Sequence, residues 1–285
     1  MPRLALPGRT VLITGGASGI GAATARTLTD RGANVVIADH DETAAERLAS
    51  TLPAGRALAL VADVTDAGRM NEVVEATVGH FGQLDVVFAN AGIAYPSTLA
   101  AADMERYERV IEVDLLGVVR TVKPALPQII ANRGHVLLTA SIYAFVNGVV
   151  NSAYALSKAG VESLSRSLRA ELATEGASAG VLMPGWVRTP LTDVVRGANE
   201  PATAIKDRLF RGPLGGFIEP EEVARAAVDG IERRSARIVV PKTWAAVAAS
   251  RGPFNAASDR ILEHDRGTQA LIREIDRAAR AEQDG

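Results

Sequence analysis

The chain of 285 residues is 47% hydrophobic and 22% charged, so it has enough apolar material to bury a core and is not a mainly disordered protein. Its 31 Lys and Arg residues nearly balance 33 Asp and Glu, and the formal net charge of −2 disfavours nucleic acid or anionic lipid as a partner. The absence of cysteine excludes disulfides and thiolate sites, and the four histidines are too far apart in sequence to suggest a metal site.

The N-terminal segment, residues 1–16, combines a basic residue with an apolar run. Pro7, Gly8 and Arg9 interrupt this run, and a glycine-rich turn follows it where a signal peptide would need a cleavage site. We therefore interpret the segment as a first strand, and we expect a cytoplasmic location. No apolar run of the sequence reaches the roughly 18 residues of a membrane-spanning helix, so membrane insertion is not expected.

Seven short apolar or β-branched runs are predicted to be strands, and six longer amphipathic stretches between them are predicted to be helices. The strands are residues 10–14, 34–38, 57–62, 85–89, 135–139, 178–183 and 237–240. The helices are residues 19–31, 43–52, 67–81, 104–130, 152–174 and 221–233. Most strands lack polar alternation, as expected when helices cover both faces of a parallel sheet. Pro124 and Pro127 should kink or end the fourth helix.

This alternation predicts an α/β fold with one Rossmann-like, doubly wound domain, a mainly parallel sheet of seven strands and helices on both faces. We assign residues 1–240 to this domain. Residues 189–217 within it are polar and weakly periodic, which favours a lid or substrate-binding loop. Residues 241–285 form a charged extension with spaced apolar residues, which predicts an amphipathic helix packed on the domain or on a partner subunit.

A glycine-rich sequence, TGGASGIG at residues 14–21, joins the first strand to the first helix. Glycine permits positive φ and close approach of the backbone to a ligand, and the free N–H groups at a helix start attract a pyrophosphate. The turn therefore predicts a dinucleotide site; the alternative is a tight connection without a ligand. The residues expected to contact the dinucleotide are Gly15, Ser18, Gly19, Ile20 and Gly21.

Asp39 ends the second strand and follows Gly21 by 18 residues. A carboxylate at about this distance from the glycines accepts hydrogen bonds from the adenosine ribose and repels a 2′-phosphate. No Lys or Arg directly follows Asp39, and Ala17 rather than a basic residue lies in the glycine-rich turn, so the pattern favours NAD over NADP. The alternative is that Asp39 or Asp41 caps the second helix.

Tyr154 and Lys158 lie four residues apart on the predicted fifth helix, so their side chains share one face. A tyrosine is a poor base near neutral pH unless a cation stabilises its phenolate, and Lys158 can supply that cation. Only four lysines occur in the chain, so this spacing is unexpected by chance. Ser141 follows the fifth strand, and its hydroxyl can reach the same crevice at the carboxyl ends of the strands.

These motifs together resemble the short-chain dehydrogenase/reductase family, in its single-domain branch. The resemblance covers about residues 7–240, and it adds Asp63-Val64, Asn90-Ala91-Gly92 and the run from Pro184 to Thr189 to the motifs above. It implies that residues 1–240 are an NAD-binding catalytic domain and that the protein is a homodimer or homotetramer. The cofactor contacts that the resemblance implies are Asp63 and Val64 at adenine, Asn90 and Gly92 at the cofactor-binding turn, Pro184, Gly185, Val187 and Thr189 near the nicotinamide, and Tyr154 and Lys158 at the nicotinamide ribose.

Asp114 is a departure from the family pattern, which usually has asparagine in the context Val113-Asp114-Leu115-Leu116-Gly117. In the family, this residue helps to hold a water that relays protons to the lysine. An ionised Asp114 accepts hydrogen bonds but donates none, and it adds negative charge near Lys158. We expect either lower activity or a different proton relay.

The leading hypothesis is an NAD(H)-dependent dehydrogenase or reductase acting on a small-molecule secondary alcohol or ketone, with Tyr154 as acid/base assisted by Lys158 and Ser141. One alternative is a nucleotide-binding regulatory protein without turnover, which Asp114 favours. A second alternative is a lyase or epimerase on the same scaffold. An apolar pocket is expected around Ala94, Tyr95, Ile142, Tyr143, Phe145, Val149, Trp186 and residues 210–217, which suggests a hydrophobic substrate.

Overall fold

A computed structural model describes residues 1–193, 200–210 and 212–283, the last four of these by their backbone alone. Seven strands form one parallel sheet, and they are β1 (Thr10–Thr14), β2 (Asn34–Asp39), β3 (Ala57–Val61), β4 (Val86–Ala89), β5 (His135–Thr139), β6 (Ser178–Pro184) and β9 (Arg237–Val240). Their order across the sheet is β3-β2-β1-β4-β5-β6-β9. The predicted fold class is confirmed, and each predicted strand is within one residue of its observed bounds at either end.

Helices cover both faces of this sheet. The helices of the main domain are α1 (Gly19–Asp30), α2 (Glu42–Thr51), α3 (Ala67–Phe81), α4 (Met104–Ile111), α5 (Gly117–Ala131), α6 (Ser152–Ala173), α7 (Glu200–Leu209) and α8 (Pro220–Arg233). Successive residues of a strand point to opposite faces, so Leu12 packs in the core under α3, α5 and α6, while Ile13 packs in the core under α1, α2 and α8. Two buried layers explain why the strands are continuous apolar runs.

The fourth predicted helix is interrupted, but at a different place from the one that its prolines suggested. Residues Glu112–Leu116 form a π-helical turn between α4 and α5, and Gly117 N–H donates to Glu112 O across it. Pro124 and Pro127 lie inside α5 and do not end it. The carbonyls four residues before these prolines, on Arg120 and Lys123, belong to half-buried and exposed residues, where water can replace the lost hydrogen bond.

The segment after β6 contains more regular structure than its weak periodicity suggested. Two short strands, β7 (Trp186–Val187) and β8 (Phe217–Ile218), pair in parallel, and α7 lies between them in sequence. Strands of two residues have no detectable period, so they could not be predicted. Positions 194–199 and 211 of the proposed loop 189–217 are outside the described residues.

The C-terminal extension contains three helices rather than the one that was predicted: α9 (Thr243–Ala249), α10 (Arg251–His264) and α11 (Arg266–Gln283). Ile275 of α11 packs against Ala202 and Ile205 of α7. An ion pair of 2.9 Å between Arg208 Nη2 and Asp265 Oδ1 supports the same contact. The extension therefore packs on the segment that follows β6.

No helix in the described part of the chain is long and apolar enough to cross a membrane. Within the same residues, no group of three or more histidine and acidic side chains is close enough together to hold a metal ion.

Candidate active site

A cavity of about 420 Å³ runs along the carboxyl ends of the strands. Asp39 and Asp63 line one part of it, and Tyr154, Trp186 and Phe210 line another. The strand order reverses between β1 and β4, and ligands of doubly wound sheets bind in the crevice at such a reversal. The topology therefore brings most of the predicted site residues to one surface.

The glycine-rich turn closes one wall of this cavity and is too tight for side chains. Gly15 has φ +61°, and a Cβ there would lie 2.8 Å from the Cα of Ala91. A Cβ on Gly21 would lie 2.1 Å from the carbonyl oxygen of Gly15. Gly15, Ser18, Gly19 and Ile20 line the cavity, whereas Gly21 is buried behind them and shapes the turn. The cradle fits a dinucleotide pyrophosphate at the start of α1.

The two acidic residues at the end of β2 have different partners. Asp41 caps α2, because its side chain accepts a hydrogen bond from Ala44 N. Asp39 Oδ2 accepts from Ala17 N at 2.9 Å, and its Oδ1 accepts from Asp41 N at 3.2 Å. The Asp39 side chain is only 7% exposed and lines the cavity. Its negative charge therefore lies beside the glycine-rich turn, where the adenosine ribose would bind.

Asp63 is held by two neighbours at the same end of the cavity. Its Oδ1 accepts from Thr65 N at 2.9 Å, and its Oδ2 pairs with Arg109 Nη2 at 2.7 Å. Burial raises the pKa of Asp63, but hydrogen bonds from Thr65 and Arg109 outweigh it and lower the pKa to about 2. Arg109 also lines the cavity, and sequence reasoning missed it because its partner lies 46 positions away.

Asn90 connects the end of β4 to the turn after β1. Its Nδ2 donates to Thr14 O at 3.3 Å and to Gly15 O at 3.2 Å, and its Oδ1 accepts from Thr139 Oγ1 at 3.2 Å. Asn90 therefore positions the glycine-rich turn. The remaining predicted contacts that line the cavity are Val64, Gly92, Pro184, Gly185, Val187 and Thr189.

Tyr154 and Lys158 both lie on α6 and both line the cavity. The Nζ atom of Lys158 is 5.3 Å from the centre of the Tyr154 ring. Ser141 lies at the start of a short turn after β5 and lines the same cavity, on the side of Tyr154. Burial raises the pKa of Tyr154, whereas the charge of Lys158 and the hydrogen bond with Ser141 act to lower it. The structure therefore brings the three predicted catalytic groups together.

Asp114 is fully buried behind Lys158, in the π-helical turn. Its Oδ2 lies 3.0 Å from Lys158 Nζ, and its Oδ1 accepts from Ile93 N at 2.7 Å. Lys158 also donates to Thr139 O at 3.2 Å. Asp114 is thus a direct ionic partner of the lysine rather than a side chain that lines the cavity.

The charges of this pair act on each other and on the tyrosine. Burial raises the pKa of Asp114, despite the opposing effects of Lys158 and the Ile93 N–H. Burial lowers the pKa of Lys158, but the negative charges of Asp114 and Tyr154 outweigh it, so the pKa is raised overall. The charge of Asp114 also raises the pKa of Tyr154.

Aromatic side chains form the wall of the cavity beyond Tyr154. The Tyr143 ring lies edge-on to Tyr154 and to Trp186, with centres 5.8 and 5.7 Å apart. Trp186 in turn lies 5.5 Å from Phe210. Burial raises the pKa of Tyr143, so this residue stays a neutral phenol. The other predicted pocket residues that line the cavity are Ala94, Ile142, Val149 and Phe217.

Two individually predicted pocket residues, Tyr95 and Phe145, lie elsewhere, and residues 212–216 of the predicted segment 210–217 do not line the cavity. The Tyr95 hydroxyl accepts a hydrogen bond from Asp103 N, and Arg106 stacks on its ring 4.3 Å from the centre. Phe145 is buried in the core, 6.4 Å from the ring of Trp244. Both expectations are wrong because closeness in sequence to a catalytic position does not set the direction of a side chain.

Comparisons with known proteins agree with this architecture. The family model described as short chain dehydrogenase matches residues 9–200. The chain is 41% identical over 221 residues to the cis-4-hydroxycyclohexanecarboxylate dehydrogenase of Sinomonas cyclohexanicum, covering 76% of this chain and 87% of that protein. It is 31% identical to the 2,5-dichloro-2,5-cyclohexadiene-1,4-diol dehydrogenase of Sphingobium indicum, covering 78% of this chain and 88% of that protein.

Among solved structures, the fold is similar to a short chain dehydrogenase/reductase from Burkholderia phymatum in complex with NAD. The TM-score is 0.76 and the sequence identity 25%, and the match covers 87% of this chain and 93% of that one. Fold, site and relatives together define an oxidoreductase. The chain belongs to the short-chain dehydrogenase/reductase family.

Proposed function

We propose that this protein is an NAD-dependent dehydrogenase that oxidises a secondary hydroxyl group on an aliphatic ring. The observation that supports the chemistry most strongly is the convergence of Ser141, Tyr154 and Lys158 in one cavity. The names of the two relatives above both describe hydroxyl groups on six-membered rings. The aromatic wall of Tyr143, Trp186 and Phe210 suits such an apolar ring.

The cofactor site is assigned residue by residue. Gly15, Ser18, Gly19 and Ile20 would hold the pyrophosphate, and Asp39 the adenosine ribose. Asp63 and Val64 would contact adenine, Val187 and Thr189 the nicotinamide carboxamide, and Lys158 the nicotinamide ribose. When bound, NAD supplies the acceptor for the hydride that leaves the carbinol carbon of the substrate.

The chain's own residues move the proton. Tyr154 as phenolate takes the proton of the substrate hydroxyl, and Ser141 donates a hydrogen bond to the oxygen as it becomes a carbonyl. Lys158 stabilises the phenolate by its charge, which opposes the effect of burial on the pKa of Tyr154. In the reverse direction, Tyr154 as phenol returns the proton. Asp114 and Thr139 hold the lysine in place.

The test is formation of NADH, followed by absorbance, with cyclohexanol, cis-4-hydroxycyclohexanecarboxylate and open-chain secondary alcohols of similar size. Ring alcohols should be oxidised with the higher kcat/KM. Tyr154→Phe should lower kcat at least about a hundredfold with little change in NAD affinity, because it removes only the proton-carrying oxygen. Tyr107→Phe is the matched control, since that hydroxyl pairs with Ser152 outside the cavity. Absence of net NADH with every ring alcohol, or near-normal turnover by Tyr154→Phe, would contradict the proposal.

Self-association is also proposed, through the adjacent outer faces of α4, α5 and α6. Large apolar side chains are exposed there, and they are Met104, Leu116, Val119 and Leu156. We infer that these exposed apolar side chains, carried by neighbouring parts of the chain, contribute to a contact between subunits. Light scattering on the purified protein should give the mass of a dimer or tetramer, and a monomer at micromolar concentration would contradict this assignment.

A further inference from the structure

We propose that Lys206 binds a carboxylate group of the substrate, so that the preferred substrate is a ring alcohol that also carries an acid group. This inference rests on the proposed function for the identity of the ring alcohol, but not for the binding of the anion. Lys206 lies on α7, and its side chain lines the same cavity as Ser141 and Tyr154. Nothing in the resemblance or the motifs of the sequence assigns a role to this residue.

The ammonium group of Lys206 is held against aromatic rings. Its Nζ lies 5.2 Å from the centre of the Trp186 ring and 4.5 Å from that of Phe217. The side chain is 13% exposed. Cation–π contacts of this kind keep an ammonium in place without neutralising its charge. Trp186 contacts Tyr143, which contacts Tyr154, so the cation lies two aromatic rings beyond the reacting tyrosine.

The polar partners of Lys206 leave its positive charge incompletely compensated. Its Nζ donates to Gly215 O at 3.2 Å, and that carbonyl is neutral. Asp207 Oδ1 lies 2.9 Å away, but the Asp207 side chain is 63% exposed, so water screens its charge. An ammonium has three N–H donors, and the contacts described here use two of them. A substrate oxygen can therefore accept the third.

In the described part of the chain, the other cations that line the cavity have carboxylate partners, which leaves Lys206 as the group to bind an acidic substrate. Lys158 is neutralised by Asp114 at 3.0 Å. Arg109 also lines the cavity, but it pairs with Asp63 at the end where Asp39 lies. Trp186 and Phe210 add apolar surface, which lowers the local polarity and strengthens an ionic contact inside it. One ammonium matches the single charge of a carboxylate, whereas a phosphate dianion needs more donors than this wall offers. The geometry points to a hydrophobic ring held between Tyr154 and Lys206, with the acid group at the lysine.

Calorimetric titration with two non-reacting probes tests the assignment without turnover. Cyclohexanecarboxylate has the charge, and cyclohexanecarboxamide is its neutral counterpart of similar shape. Each is titrated into the whole protein saturated with NAD, and the comparison uses wild type, Lys206→Met, Lys206→Arg and the exposed-lysine control Lys123→Met. We expect wild type and Lys123→Met to bind the acid about tenfold more tightly than the amide. Lys206→Met should lose this preference, and Lys206→Arg should retain most of it.

The affinity for cyclohexanecarboxamide shows whether the substitution has left the shape of the pocket intact. Equal losses of acid and amide affinity in Lys206→Met would assign Lys206 a structural role in the cavity wall and overturn the inference. Absence of an acid preference in wild type, including absence of measurable binding of both probes, would also overturn it. Failure of the proposed function is a separate result, because a protein that binds the acid through Lys206 but forms no NADH retains the carboxylate site and loses the assigned reaction.

Discussion

Lys158 faces two groups that compete for its charge. Its Nζ lies 3.0 Å from Asp114 Oδ2 and 5.3 Å from the centre of the Tyr154 ring. A buried ammonium is stabilised by a carboxylate at this distance, but the same carboxylate raises the pKa of Tyr154, which loses its proton in the proposed reaction. Asp114 therefore stabilises the charged form of Lys158 and disfavours ionisation of Tyr154.

Asp114→Asn should move the rising limb of the oxidation rate to lower pH, by roughly one pH unit, because a negative charge that raises the pKa of Tyr154 is removed. The amide oxygen can still accept from Ile93 N, so the turn is preserved. The measurement is kcat/KM for oxidation against pH in both proteins. Glu112→Gln, in the same π-helical turn, removes an equal charge that pairs with Arg120 instead, and should leave the profile unchanged. Superimposable profiles with a lower melting temperature for Asp114→Asn would show a structural role only.

Asp39→Asn should weaken the preference for NAD over NADP. The wild-type carboxylate, 7% exposed beside the glycine-rich turn, repels a 2′-phosphate, and we expect NAD to bind at least about tenfold more tightly, or about 1.4 kcal/mol. The asparagine side chain should reduce the ratio of NAD affinity to NADP affinity several-fold. Titration of both cofactors, followed by fluorescence, measures it.

Asp41→Ala is the matched control for this prediction, because Asp41 is the residue that caps α2. This substitution should lower the free energy of unfolding by roughly 0.5–2 kcal/mol and leave the ratio of NAD affinity to NADP affinity unchanged. A wild-type protein that binds both cofactors equally, or that prefers NADP, would refute the assignment of Asp39.

Helix α7 lies between the cavity and the C-terminal extension. One face of it places Lys206 at Trp186, and Ala202 and Ile205 pack against Ile275 of α11. The extension is itself tied to the main domain by Arg251, which pairs with the buried Glu162 of α6 at 2.9 Å. An element beyond the sheet therefore positions a wall of the substrate site.

Ile275→Ala should loosen this contact, because truncation of a buried isoleucine costs roughly 2–5 kcal/mol where it is packed. We expect faster hydrogen exchange in α7 and α11 and a several-fold higher KM, with kcat changed less than about twofold. Ile261→Ala on α10 is the control, since that side chain is 61% exposed. Unchanged exchange in α7 would show that α11 does not restrain it.

The central sheet contains a fully buried histidine, His135, which begins β5 at the opposite end of that strand from Thr139 and the cavity. His135 Nδ1 pairs with Ser178 Oγ at 2.9 Å, next to the buried Arg234. Burial, with the charges of Arg234 and Arg169, lowers the pKa of His135 from 6.5 to about 3. The folded protein therefore keeps this ring neutral at pH values where the unfolded chain binds a proton.

Stability should consequently fall as the pH drops from about 6.5 towards 3, by up to about 1.4 kcal/mol per pH unit for this one group, because the unfolded state takes up the proton. The pKa of Asp63, lowered to about 2, adds a loss only below its usual value of 3.8. Urea unfolding of wild type and His135→Gln between pH 7 and 4.5 isolates the histidine, and the exposed His80→Gln is the control. If the free energy of unfolding has the same slope against pH in wild type and in His135→Gln, the assignment of this pH dependence to His135 is refuted.

Local patterns in the sequence were enough to predict the seven strands, five of the six helices and the glycine-rich turn. The apolar runs follow from burial on two faces, as the opposite packing of Leu12 and Ile13 shows. The spacing of Tyr154 and Lys158 required one shared helix face and nothing more. These strands, helices and turns depend on residues only a few positions apart, so they can be predicted from the sequence alone.

Pairings between distant positions were decided by packing in three dimensions. The family resemblance implied that Asp114 lies near Lys158, but a helix pattern does not specify the π-helical turn that brings this carboxylate into a direct ion pair with the lysine. The same reason applies to Arg109 at Asp63, and to Lys206 above Trp186. Side-chain direction was open as well, since Phe145 turns into the core while Tyr143 turns into the cavity. The spacing of the proposed catalytic residues is present in the order of residues along the chain, whereas the ion pair behind Lys158 and the position of Lys206 in the cavity wall arise only when the chain is folded.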